Sequence, residues 1–360
     1  MNRKIWKALG IAVCMLALAA LRAMAETNVH TVTAKTDFAE VVKNINASDV
    51  NDENVIELYD DITLAGNYTL TRNTTIKSKD KDHKISINGS NDPNAGITVT
   101  GEGTVLNLGA NGYDKKLTID GDTGVAFITV SGGATANMYE NVTLQNRKSM
   151  GNACVVIKGS NSVTGSNSVF NMHGGVIEKC SRAVIAYSGA TFHMFGGEIR
   201  NCVSGNDGGG ISVTDNSKFI MEGGTISKCE GSRGGGLYAK DSIVTISGGT
   251  ISGCTTSDAG MGGGLYAYNS TITISGGTIE NNKATILDGK LPLLVDGYCN
   301  SKSCEVKNLA TAKIRANRVK SELIIRAKIK EENFITHNHA TEGDFVTVRL
   351  TVPVKETAVT

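Results

Sequence analysis

Apolar residues in this chain recur at two different periods. Between Thr36 and Ile45 they fall at Phe38, Val41, Val42 and Ile45, the i, i+3, i+4, i+7 spacing of a helix with one apolar stripe. Thr36 is placed to cap that helix, with Asp37 in its first turn. From Val55 the spacing drops to two, in runs such as Val55-Ile-Glu-Leu58, Ile62-Thr-Leu64, Ile85-Ser-Ile87, Val105-Leu-Asn-Leu108 and Phe127-Ile-Thr-Val130. Turn pairs such as Asn88-Gly89 and Asn111-Gly112 separate them, so the pattern predicts short strands with no helix between.

From Phe170 to Asn282 the pattern becomes a repeat. One phrase is written five times, at Phe170 to Cys180, Phe192 to Cys202, Phe219 to Cys229, Val244 to Cys254 and Ile272 to Asn282. Its first glycines, Gly174, Gly196, Gly223, Gly248 and Gly276, are 22, 27, 25 and 28 residues apart, the period of a solenoid coil. Two before each glycine stands Met172, Met194, Met221, Ile246 or Ile274, and three after it an isoleucine in every copy. Residues that keep their identity at a coil-length interval are explained if each coil stacks on the last, about 4.8 Å away in parallel strands. A sandwich of antiparallel hairpins gives no reason for that register. A second phrase alternates with the first, at Gly208-Gly-Gly-Ile211, Gly234-Gly-Gly-Leu237 and Gly262-Gly-Gly-Leu265, with Met150 to Cys154 as a degraded copy.

Each coil therefore has at least two strands and two glycine corners. The fold class is all-β, a single-stranded right-handed parallel β-helix with an N-terminal capping helix. About nine to eleven coils fit, a rod about 45–50 Å long. The expected organisation is a signal peptide over 1–25, a cap over 26–54, the β-helix over 55–282 with its clearest repeats in 136–282, an insertion over 283–304, and C-terminal coils and cap over 305–360.

Composition narrows the function. Arg3, Lys4 and Lys7, the apolar run Ile11 to Leu21 and the site Ala23-Met24-Ala25 read as a secretory signal peptide, and the run is short for a bilayer span. Val13 before Cys14 argues against lipidation. The expected location is exported: periplasmic, cell-surface or extracellular. Of a formal charge of +1, the signal peptide holds +4 and Lys302 to Lys330 holds +7, so the body is acidic and one late segment basic. That segment is read as a solvated edge, with no nucleic acid partner expected.

Candidate chemistry sits in columns of the repeat. Cys180, Cys202, Cys229, Cys254 and Asn282 follow the first glycine by six residues and form a structural ladder. Tetrahedral zinc needs ligands converging on one point, which a ladder does not supply, so no metal or cofactor is expected and the thiols are read as free and buried. Cys154 aligns with Ile211 and Leu265 and points inward, and Cys299 with Cys304 is the expected disulfide. Outward columns run Val176, Glu198, Thr225, Thr250, Thr278 and Glu178, Arg200, Ser227, Ser252, Glu280, with threonine or serine at half of these places. Polysaccharide cleavage by paired carboxylates needs acids clustered on one face, and none is expected to be catalytic here. His173 and His193 occupy different repeat positions and read as exposed side chains.

At its Gly-Gly-Thr-Ile and Gly-Gly-Gly-Leu-Tyr-Ala copies the chain resembles bacterial surface and secreted proteins with pectin-lyase-like β-helices. It is also similar to the passenger repeats of chlamydial polymorphic outer membrane proteins, although their companion Phe-x-x-Asn motif is missing and a translocator barrel is not expected. The resemblance implies a fold more than a function. The expectation is an exported, non-enzymatic, adhesin-like or structural surface protein with a Ser/Thr-rich face. Its partners would be glycans or cell-surface proteins, with membrane contact by association or tethering only. The alternative is a polysaccharide lyase or glycoside hydrolase.

Overall fold

The computed structural model describes residues 25–284 except 90, 91, 93, 123, 150, 161–166 and 258–261, together with the strands Pro292–Tyr298, Phe334–His339 and Phe345–Thr351. The expected signal peptide up to Met24, the basic segment and Cys299 and Cys304 lie outside the described residues.

The chain winds as a parallel β-solenoid of right-handed type, with three strands in each complete coil, one more than the minimum the repeats imply. The first sheet has ten strands, from Thr27–Val32 to Thr271–Ile274, the second nine and the third eight. The pairings within these three sheets are parallel and in the register of the repeat: Phe170 faces Phe192, Phe192 faces Phe219, and Ile177, Ile199, Ile226 and Ile251 follow one another. The inward rows are buried up to the last coil, where Ile274 and Ile279 become exposed, and successive phenylalanine rings pack at 5.5 and 5.2 Å. Such rows remove apolar surface from water at about 25 cal/mol per Å².

The paired glycines turn the chain from the first sheet to the second, for two separate reasons. A β-carbon on Gly223 would lie 2.5 Å from the carbonyl oxygen of Phe195 in the preceding coil, whereas Gly224 has a φ of +81°. One glycine permits close stacking and the other permits the bend.

The helix α1 (Phe38–Ala47) forms with Phe38, Val41, Val42 and Ile45 buried. Its N-cap is Asp37, whose carboxylate accepts from Ala39 N–H; Thr36 instead accepts from Thr33 N–H. Thr36 therefore closes the preceding turn, and capping passes to its neighbour. The first sheet begins with Thr27–Val32, one strand before the third sheet begins with Asn67–Leu70. The helix occupies that step, with Phe38 edge-on to Tyr68 at 4.9 Å.

Past the solenoid the described strands differ from further coils. Pro292–Tyr298 and Phe334–His339 both pair antiparallel with Phe345–Thr351 in a separate three-stranded sheet. Alternating sequence predicts a strand at 345–352, but not the direction of its partner.

Candidate binding surface

The corner between the second and third sheets holds the cysteine column and the loops most free to vary. A left-handed residue (Asn146, Lys179, Asn201, Lys228, Gly253 or Asn281) turns the chain there, and the next residue enters the core. In chain order those next residues are Arg147, Cys180, Cys202, Cys229, Cys254 and Asn282. Arg147 thus opens the column, fully buried, with Nε donating to Val125 O and Nη1 to Ser149 O, Asn152 O and Ser181 Oγ. Burial among neutral acceptors pulls its pKa down to about 10.

Cys180 is not a free thiol. It is bonded to Cys154, with Cα atoms 6.5 Å apart, while Cys202, Cys229 and Cys254 remain free and buried. Strand register explains the bond. Val155 pairs with Val184, Val184 with Ile211, Ile211 with Leu237 and Leu237 with Leu265, so Cys154 is one residue out from the alignment with Ile211. It occupies the place of Ala183, Gly210, Gly236 and Gly264, the position that faces the ladder residue of the following coil. Asn282 forms no stacked amide row; its Oδ1 accepts from Cys254 N–H and its Nδ2 donates to Ile251 O.

Outside this column, the loops at Gly205 to Gly208 and Glu230 to Gly234 are tied together. Arg233 donates to both carboxylate oxygens of Asp207 from Nε and Nη2, at 2.8 and 2.5 Å, and its guanidinium lies over the rings of Tyr238 and Tyr266 at 5.3 and 5.5 Å. The Asp207 carboxylate raises the Arg233 pKa, and burial raises that of Tyr238. Those rings stack at 5.7 Å on the outer face of the third sheet, and Tyr268 and Lys240 extend the face into solvent. A strand pair joins Glu230–Gly231 to Thr255–Thr256, so the second of these loops is also tied to the coil that follows.

The faces of the first and second sheets carry other columns. Asn171 donates to Asn137, Asn137 to Asn107 and Asn107 to Thr75, a side-chain ladder at 2.9, 2.8 and 3.2 Å. Beside it Tyr139, His173 and Phe195 stack at 5.2 and 4.9 Å, and His193 stacks on Phe195 at 3.7 Å while meeting Glu222 at 2.9 Å. The two histidines are thus joined through Phe195, a contact that repeat position alone does not show. On the second sheet Glu178 and Glu198 both bind Arg200, the former at 2.7 Å. Arg200 holds the Glu178 carboxyl below the usual glutamate range. Towards the later coils this face becomes Thr225, Ser227, Thr250, Ser252 and Thr278.

Among the described residues no group of three or more His, Cys, Asp or Glu converges as a metal-binding set, and no helix is long and apolar enough to cross a membrane. No protein-family model matches the chain, and no curated protein matches it. A solved structure, the iota-carrageenase of family GH82 from A. fortis in the absence of chloride ions, aligns with 91% of this chain at 11% identity and a TM-score of 0.38. The alignment covers 66% of that protein, so the chain spans just under two thirds of its length. A likeness of that size carries no argument about chemistry.

Proposed function

We propose that this is an exported protein that works by binding, an adhesin-like or structural surface protein whose partners are glycans or cell-surface proteins. The observation that supports it best is the Asp207–Arg233 pair laid over the buried Tyr238 and half-buried Tyr266, which orders successive loops into one surface of charged and hydroxyl groups beside the exposed Tyr268. Loops fixed on a rigid scaffold are where binding specificity is built at least expense to the core. The pectin-lyase-like resemblance is consistent with such a scaffold and adds no partner of its own.

The competing reading, a polysaccharide lyase or hydrolase, can be weighed at the Glu178–Arg200–Glu198 cluster, which joins two carboxylates on one sheet face among the described residues. A glycosidase acid must keep its proton near neutrality. Glu178 is held ionised by Arg200, so it does not serve as that acid, and the second carboxyl of this cluster, Glu198, is bound to the same guanidinium. A glycan array with the chain from Glu26, run beside reducing-end and unsaturated-product assays on acidic polysaccharides, tests both readings. Retention of a glycan that weakens in Arg233→Ala supports binding; turnover that disappears in Glu178→Gln overturns it.

A further inference from the structure

The three remaining thiols occupy equivalent surroundings. Sγ of Cys202, Cys229 and Cys254 lies 3.4, 3.4 and 3.6 Å from the carbonyl oxygen two residues earlier, at Arg200, Ser227 and Ser252. Each also lies 4.0, 4.0 and 3.8 Å from a carbonyl of the preceding coil, at Ile177, Ile199 and Ile226. Identical surroundings one coil apart mean that the sulfurs are related by translation along the rod, so they are separated by about one strand spacing, 4.8 Å.

We propose that Cys202, Cys229 and Cys254 bind soft monovalent metal ions, Cu⁺ or Ag⁺, in two-coordinate sites with one ion between each pair of successive sulfurs. A filled-shell ion with metal–sulfur bonds of about 2.3 Å, the length zinc makes, joins two sulfurs in line across about 4.6 Å, close to the coil spacing. Tetrahedral sites fail on this column because four ligands never meet, but a linear site asks for two. Thiolate donors select soft ions, and the full burial of all three thiols excludes strongly hydrated ones. The column is bounded at both ends, by the Cys154–Cys180 bond and by Asn282. Loading two ions makes four metal–sulfur bonds as the three thiols release three protons to solvent, with the Cys229 sulfur bridging both ions and one net negative charge left on the column. Neighbouring thiols and burial hold the protons of Cys229 and Cys254 firmly, so loading belongs to refolding or to raised pH.

The chain from Glu26 carrying Cys299→Ser and Cys304→Ser is refolded with Ag⁺ and no reductant, stripped of loose metal, and its silver counted per chain. Two ions are expected in this parent. Cys202→Ser and Cys254→Ser each keep one pair and should hold one. Cys229→Ser leaves sulfurs about 9.6 Å apart, twice the strand spacing, and should hold none. Equal retention in Cys229→Ser and Cys202→Ser, or no retained metal in the parent, overturns the proposal. Where circular dichroism shows a serine variant unfolded, the alanine variant replaces it. X-ray absorption of the loaded parent decides independently: two sulfur neighbours support the site, and oxygen or nitrogen neighbours overturn it.

Discussion

Gly236 lies against the thiol of Cys254 in the following coil, where a β-carbon on the glycine would come 3.2 Å from Sγ. Gly210 meets Cys229 at 3.4 Å and Gly264 meets the Asn282 amide at 2.6 Å in the same way. Cys154 and Cys180 hold that same relation between their coils, with a disulfide in place of packing. Ala183 stands in the equivalent place opposite Cys202. The thiol introduced by Ala183→Cys should therefore oxidise onto Cys202 without disturbing the fold, since this position already carries a β-carbon. Non-reducing peptide mapping reads the result, and a persistently free thiol at position 183 would count against the register.

Reduction of Cys154–Cys180 should loosen the middle of the rod. The bond closes a loop with a sequence separation of 26, for which chain entropy gives roughly 3.5 kcal/mol. Chemical denaturation with and without reductant measures it. Cys202, Cys229 and Cys254 should resist alkylation until the coils open.

Two glycines separate crowding from backbone strain. Gly112 has a φ of +67° and nothing within 4 Å of an added β-carbon, so Gly112→Ala should cost about 1 kcal/mol of left-handed strain. Gly223→Ala drives a methyl into the Phe195 carbonyl at 2.5 Å and should cost more, about 2–3 kcal/mol, by forcing two coils apart. Equal denaturation midpoints for the two variants would contradict the stacking argument.

Glu178 has its pKa lowered by the Arg200 guanidinium. A carboxyl depressed in the folded state contributes stability that is fully present above its unfolded pKa, about 4.3. That contribution is lost as pH falls from there through the folded value. Thermal unfolding between pH 6 and pH 3 should show the loss in the parent and a shallower fall in Glu178→Gln.

Arg147 holds three carbonyls and a hydroxyl inside the corner. Arg147→Met fills much of the volume but removes the donor of Val125 O and leaves the single Ser181 hydroxyl to serve both Ser149 O and Asn152 O, at about 1–3 kcal/mol. The segment from Lys148 to Ala153 should then become the first site of limited proteolysis.

The sequence by itself determined the solenoid, because a side chain that recurs once per coil is buried by its own copies, and that demand is visible as periodic Phe, Met and Ile. It determined the glycine corners and the apolar stripe of α1 for the same reason, since each is a local rule repeated or a local amphipathic pattern. Tertiary structure decided what depends on which residues of different coils touch. A one-residue offset turned Cys154 from a neighbour of Ile211 into the partner of Cys180, and no spacing along the chain distinguishes the two. It likewise placed Arg147 at the head of the cysteine column, set Arg233 over two tyrosines, and brought His173 and His193 together through Phe195. Those contacts join loops and corners of unequal length, so their register follows from stacking in space and not from counting along the chain.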